Sequence, residues 1–220
     1  MISEILLVHP QDSKPSEVKK LNFFLTGRGG SHHEAAVILK NIFLPNTMGV
    51  IIQPDEYCWY PAPIDAENQD EAVEGQLPAM KQILEIVGFY QQVFNVKPED
   101  CIIGGHSAGG VMSIYTTAVS NMPFGACYCL CGCILDTNNF PESQTQTPII
   151  TIHNKDDYCF DWKERYIPTK KCLSKKGYRH FHIENHTGSH GFGKRDLLKL
   201  ENILYKELNI DLGDDFVRYV

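Results

Sequence analysis

At 220 residues, the chain is long enough for one globular domain with a single sizeable core, and at most for two small ones. Its 43% hydrophobic and 21% charged residues exclude disordered, collagen-like and coiled-coil classes, and a formal charge of −7 argues against a nucleic-acid footprint. No apolar run reaches the roughly 18 residues of a membrane helix. Met1-Ile2-Ser3-Glu4-Ile5 lacks the basic flank and long apolar stretch of a secretory signal. A cytoplasmic enzyme or binding domain is the expectation.

In chain order, Ile5-Leu6-Leu7-Val8 reads as an edge strand, and Leu21 to Thr26 as a short buried strand ending in Gly27. Arg28-Gly29-Gly30 follows, then Ser31 and Glu34 in capping-box spacing, so a helix is expected over Ala35 to Leu44. Gly49 to Pro54 is the next strand. Asp55 to Gln76, rich in aromatics, prolines and acids, is too irregular for an assigned element. Within it, Asp65, Glu67, Asp70, Glu71 and Glu74 read as a solvated surface.

Met80, Ile83, Leu84, Val87, Tyr90 and Phe94 keep helical spacing and predict a long helix ending near Val96. Cys101 to Gly104 is a strand, and Val111, Met112, Tyr115, Ala118, Val119 and Met122 mark the buried face of the helix after it. Ala126 to Leu135 and Pro148 to His153 are further strands. Trp162 to Lys175 is expected to be helical, Tyr178 to Glu184 the last strand, and Leu197 to Leu208 the final helix. Such alternation predicts one α/β domain, with a mostly parallel central sheet flanked by helices on both faces.

Eight cysteines need a reading of their own. Cys127, Cys129, Cys131 and Cys133 alternate strictly, which on a strand places all four on one face. Thiols along a straight strand do not converge tetrahedrally, so the ladder is read as small buried hydrophobes in a reduced protein rather than a metal site.

The strongest chemical signal is Gly105-His106-Ser107-Ala108-Gly109, placed directly after an apolar strand and before a helix. On that turn a serine is held in a strained backbone conformation that exposes its hydroxyl. A serine hydroxyl needs a general base, and the base needs an orienting carboxylate, in the chain order Ser, acid, His. Asn154-Lys155-Asp156-Asp157 follows one later strand, and Asn185-His186-Thr187-Gly188-Ser189-His190-Gly191 follows the next. On the residues alone the acid is Asp156, Asp157 or Asp136, and the base is His186 or His190. His32, His33, His180 and His182 read as surface or strand positions, and His106 as an orienter of the elbow. Two N–H donors must hold an oxyanion. Position assigns them to Ala108, which follows the serine, and to Arg28 in the glycine loop. That loop fits neither a dinucleotide nor a Walker fingerprint.

Several segments together resemble one family. Thr26-Gly27-Arg28-Gly29, Trp59-Tyr60-Pro61, Gly105 to Gly110, His153 to Asp157 and Gly188-Ser189-His190 are similar to the motifs of α/β-hydrolases, specifically the phospholipase/carboxylesterase, acyl-protein-thioesterase-like family. The resemblance spans Leu21 to Leu208. It implies an α/β-hydrolase fold without a large cap domain, Ser107 as nucleophile, Asp157 as acid and His190 as base. Thr26 stands where the family has His before the oxyanion loop, and Asn154 where it has Gly before the acid. Gly188 and Gly191 flank His190 and free it to swing over the serine.

The substrate-binding assignment is Trp59, Tyr60 and Met112, with Tyr57 and Pro61 in the same segment; the other reading has the aromatics covering the sheet edge. The expected function is a serine carboxylesterase or thioesterase for small to medium acyl substrates, with no cofactor and no metal. Its rivals are a dienelactone-hydrolase-like or peptidase-like enzyme, and a non-catalytic binding protein of the same fold.

Overall fold

The computed structural model describes residues 2–10, 14–61 and 69–211. Seven strands, β1 (Ile2–Val8), β2 (Lys20–Leu25), β3 (Thr47–Pro54), β4 (Cys101–His106), β5 (Ala126–Leu130), β6 (Ile149–Asn154) and β7 (His180–Asn185), form one sheet in the order β1-β3-β2-β4-β5-β6-β7. Only β1 runs antiparallel, against β3; every other pairing is parallel. The crossovers are α1 (His32–Lys40), α2 (Gln69–Phe94), α3 (Ala108–Ser120) and α4 (Ile167–Lys175), and α5 (Lys194–Glu207) follows β7.

Strand periodicity sorts the core into two layers. Phe23, Val50, Ile103 and Cys127 face α2, α3 and α4, whereas Phe24, Ile51, Ile102 and Tyr128 face α1 and α5. Burial on both faces is why these strands read as continuous apolar runs rather than alternating ones. Among the described residues no cap domain interrupts the strand–helix alternation. The capping box at α1 is present, with the Glu34 amide donating to Ser31 Oγ and the Ser31 amide to Glu34 Oε2.

α1 starts at His32 and stops at Lys40 rather than spanning Ala35 to Leu44, and two elements depart further from the sequence reading. α2 begins at Gln69, well before Met80, and carries Pro78 on its exposed side. Its buried face continues N-terminally through Ala79, Gln76 and Ala72, a small or polar set that hides the helical period. The exposed Asp70, Glu71 and Glu74 lie on its first turns, where negative charge suits the helix dipole. Asp65 and Glu67 lie outside the described residues.

The second correction concerns the cysteine ladder. β5 ends at Leu130, because Cys131 adopts a left-handed conformation (φ 53°) and turns the chain out of the sheet. Only Cys127 and Cys129 share a strand face. All four thiols are nevertheless fully buried and free. Burial pushes the Cys127 and Cys133 pKa values up to about 12, which keeps both as neutral thiols.

Candidate active site

The β4–α3 junction is built by close backbone approach. A Cβ on Gly109 would lie 2.0 Å from the Leu25 carbonyl oxygen, and one on Gly105 would lie 2.5 Å from the Gly109 backbone. Only glycine lets α3 start that near to β2 and β4. Ser107 is thereby forced to φ 55° and ψ −122°, a conformation that costs of order 1–3 kcal/mol. Its amide donates to the Leu130 carbonyl at 2.8 Å, and its own carbonyl accepts from the Val111 amide, so the turn is held on both sides.

Around this elbow the structure brings together Ser107, His190 and Asp157. Ser107 Oγ lies 2.8 Å from His190 Nε2, and His190 Nδ1 lies 2.9 Å from both carboxylate oxygens of Asp157. An ionised carboxylate only accepts, so Nδ1 carries the hydrogen and Nε2 is left to accept from the serine hydroxyl. Burial pushes the Asp157 pKa up, but the hydrogen bonds from His190 and from the Phe160 and Cys159 amides outweigh it, and the carboxyl ends below its usual range. The fully buried His153 donates from Nε2 to the Phe160 carbonyl at 2.8 Å and braces the turn that carries Asp157.

The remaining candidates stand elsewhere. Asp156 accepts from the Ser189 and Gly188 amides at 2.8 and 3.3 Å, tying down the histidine loop without touching the imidazole. Asp136 caps its own turn through Asn138 and Asn139. His186 is exposed and has no bond to Ser107. His106 packs its ring 5.2 Å from that of His190 and 5.4 Å from that of Phe192. Burial, then the neighbouring His190, lower its pKa to about 4, so it sits beside the base as a neutral imidazole.

Asn154 is the residue whose part sequence reasoning missed. Its amide nitrogen donates to the Ser189 carbonyl at 2.9 Å and the Gly191 carbonyl at 2.5 Å, on either side of His190, while Asn185 donates to its oxygen at 3.0 Å. A Cβ on Gly188 would come within 2.6 Å of the same amide. The Cys131 thiol also donates to the Gly191 carbonyl, at 3.0 Å. The signal was present as an Asn in place of a Gly, but its meaning lies in a loop more than thirty residues away.

The Gly27–Gly30 loop lies beside the elbow: a Cβ on Gly27 would be 3.3 Å from Ser107 Cβ. The Arg28 side chain turns to the aromatic segment, donating to the Tyr60 carbonyl at 2.9 Å and to Cys58 Sγ at 3.2 Å. Trp59 Nε1 donates to the Thr26 carbonyl at 2.6 Å. Together these contacts brace the loop that holds the Arg28 amide. An open cleft of about 600 Å³ in front of Ser107 is walled by this loop, Val37 and Ile38 of α1, His106, His190 and Phe192. Trp59, Tyr60 and Met112 are not on that wall; all three are buried in the core layer shared with α2 and α3. They pack the site from behind.

A parallel sheet with a serine elbow after its central strand and an Asp–His pair after the last two defines an α/β-hydrolase. Residues 12–208 match the model of the phospholipase/carboxylesterase family, and the chain belongs to that family of carboxylesterase-type hydrolases. No curated protein matches it. Among solved structures it is similar to a phospholipase/carboxylesterase from Dyadobacter fermentans (17% identity, 91% of this chain and 95% of that one, TM-score 0.75). It is likewise similar to esterase PE8 (19% identity, 93% and 98%, TM-score 0.78). Acyl-protein thioesterase 2 from Zea mays is a third (14% identity, 93% and 99%, TM-score 0.70). At these identities the likeness concerns the fold.

Proposed function

We propose that the chain is a single-domain cytoplasmic serine hydrolase that cleaves ester or thioester bonds of small to medium acyl substrates through Ser107, His190 and Asp157. The observation that carries this reading is the continuous hydrogen-bonded chain from Ser107 Oγ through His190 to Asp157, at 2.8 and 2.9 Å. His190 Nε2 takes the hydroxyl proton as Ser107 attacks the carbonyl carbon, and Asp157 stabilises the imidazolium that forms. The Arg28 and Ala108 amides, with the α3 N-terminus behind them, receive the oxyanion. His190 then protonates the departing alcohol or thiol, and water releases the acyl group from Ser107 by the same steps in reverse. None of these steps calls for a cofactor.

Val37, Ile38 and Phe192 supply an apolar wall for the acyl or leaving group. No described helix is long and apolar enough to cross a membrane. Eight free cysteines fit a reducing compartment. The test is turnover of p-nitrophenyl esters and acyl-CoA thioesters across chain lengths, with Ser107→Ala as control. Saturable hydrolysis that disappears in Ser107→Ala is the expected result. Failure to turn over any member of the panel favours the rival, a binding protein of the same fold.

A further inference from the structure

Beside the acid and the base stands a group that ester hydrolysis does not use. The ligand atoms of Asp157, Cys159 and His190 all lie within 4.8 Å of one another. Asp157 is buried and His190 half-buried, whereas Cys159 is exposed and leads from the surface to the other two. The three differ in origin. Asp157 is fixed by the Cys159 and Phe160 amides at 2.8 and 2.9 Å, and His190 by its place between Asp157 and Ser107. The thiol alone can rotate to meet an incoming ion.

We propose that Asp157, Cys159 and His190 form an inhibitory binding site for Zn²⁺, a reversible brake on the hydrolase. Zinc takes sulfur, imidazole nitrogen and carboxylate oxygen at about 2.0–2.3 Å, so a tetrahedral centre draws its ligand atoms to roughly 3.3–3.7 Å apart. Rotation of the exposed Cys159 side chain brings in the sulfur, and the His190 Nδ1–Asp157 pair, now hydrogen-bonded at 2.9 Å, opens to that range to admit the ion, with water in the fourth position. One nitrogen, one sulfur and one oxygen suit zinc and exclude Mg²⁺ and Ca²⁺, which require oxygen cages.

The consequence for catalysis follows from the tautomer and rests on the triad reading above. In the free enzyme Nδ1 carries the hydrogen and Nε2 accepts from Ser107. Zinc bound at Nδ1 displaces that hydrogen to Nε2 by exchange through solvent, so the ring stays neutral, and only the Cys159 thiol proton is released as its sulfur becomes a thiolate ligand. A neutral imidazole ligated through Nδ1 must carry its hydrogen on Nε2. That nitrogen then has no lone pair for the serine proton, and general-base catalysis stops although Ser107 and the cleft are untouched. Zinc also takes the Asp157 oxygen that orients the ring, so a second requirement of the reaction is lost at the same step.

Equilibrium dialysis with zinc, performed on Ser107→Ala with and without Cys159→Ala, isolates the site from activity. One tight equivalent is expected on Ser107→Ala, weakened roughly tenfold or more by the added Cys159→Ala, since even outer-shell losses cost that much. In active enzyme, zinc should abolish turnover of an activated ester, EDTA should restore it, and Mg²⁺ and Ca²⁺ should do nothing. Cys159→Ala keeps the backbone amide that binds Asp157 and, with inhibition scored against its own zinc-free rate, should need at least tenfold more zinc for half inhibition. Equal zinc affinity with and without the thiol overturns the site. Tight binding without inhibition overturns the brake. A protein that hydrolyses nothing yet binds zinc through Cys159 refutes the hydrolase reading and leaves the site standing.

Discussion

The elbow and the cleft wall opposite it are made in different ways. Around Ser107 the shape is set by backbone: Gly105 and Gly109, both buried, admit main-chain atoms from β2 and α3. The wall is set by side chains, with Val37 62% exposed on α1 and Phe192 on the loop after His190. A backbone-made feature tolerates almost no substitution but leaves a local signature. A side-chain-made wall can be altered freely, and nothing local reveals which residues compose it. The contrast predicts where mutations cost catalysis, where they cost stability and where they only retune preference.

The largest effect should come from Asp157→Asn. The amide can still accept from the Cys159 and Phe160 amides, but it no longer enforces the Nδ1–H tautomer, so kcat should fall about 10⁴-fold with a folded protein. Circular dichroism alongside kinetics checks both halves. Next, Gly109→Ala drives a methyl against the Leu25 carbonyl and should cost about 3 kcal/mol or more, read as a large drop in thermal midpoint. Val37→Ala should leave the midpoint unchanged. A stable Gly109→Ala would break the comparison at its root.

Asn154→Ala removes the clamp on both carbonyls flanking His190 and should lower kcat by about 10–100-fold with little change in KM. Partial recovery in Asn154→Gln, which keeps an amide donor, would sharpen the assignment to positioning; equal losses in kcat and in folded protein would contradict it. Smaller still is the response to Val37→Ala or Phe192→Ala, a shift of acyl-length preference by up to about tenfold in kcat/KM, since a few methylenes in an apolar pocket carry roughly 1–3 kcal/mol. Acid should weaken the fold. The pKa values of His106 and His180 are lowered from 6.5 to about 4, so between those values the unfolded chain binds more protons than the native one. Stability therefore falls as pH drops from about 6.5 to about 4. Urea midpoints measured across that window, with His106→Gln showing a shallower fall, check the sign.

Legibility in the sequence follows the same division. The elbow, the capping box at Ser31 and the edge strand were readable because each is a local rule about a few adjacent residues. Asp157 and His190 were narrowed by strand-end placement and selected by family spacing, and the structure brings those two to Ser107. The start of α2 was hidden because Ala72 and Gln76 bury without a hydrophobic period. The end of β5 was hidden because the left-handed turn falls on Cys131, a residue with no turn propensity. The chemistry of Trp59, Tyr60 and Met112 fits a pocket lining and a packing role equally well, and nothing local separates the two; all three are core. Asn154 and Phe192 depend on contacts across long stretches of chain.

Labelling with a fluorophosphonate, followed by peptide mapping, tests the central claim most directly, because it requires an activated serine and no knowledge of the substrate. The account predicts a single stoichiometric adduct on Ser107, lost in Ser107→Ala and strongly slowed in His190→Ala. A wild-type protein that stays unlabelled, or carries the adduct on another residue, would contradict it.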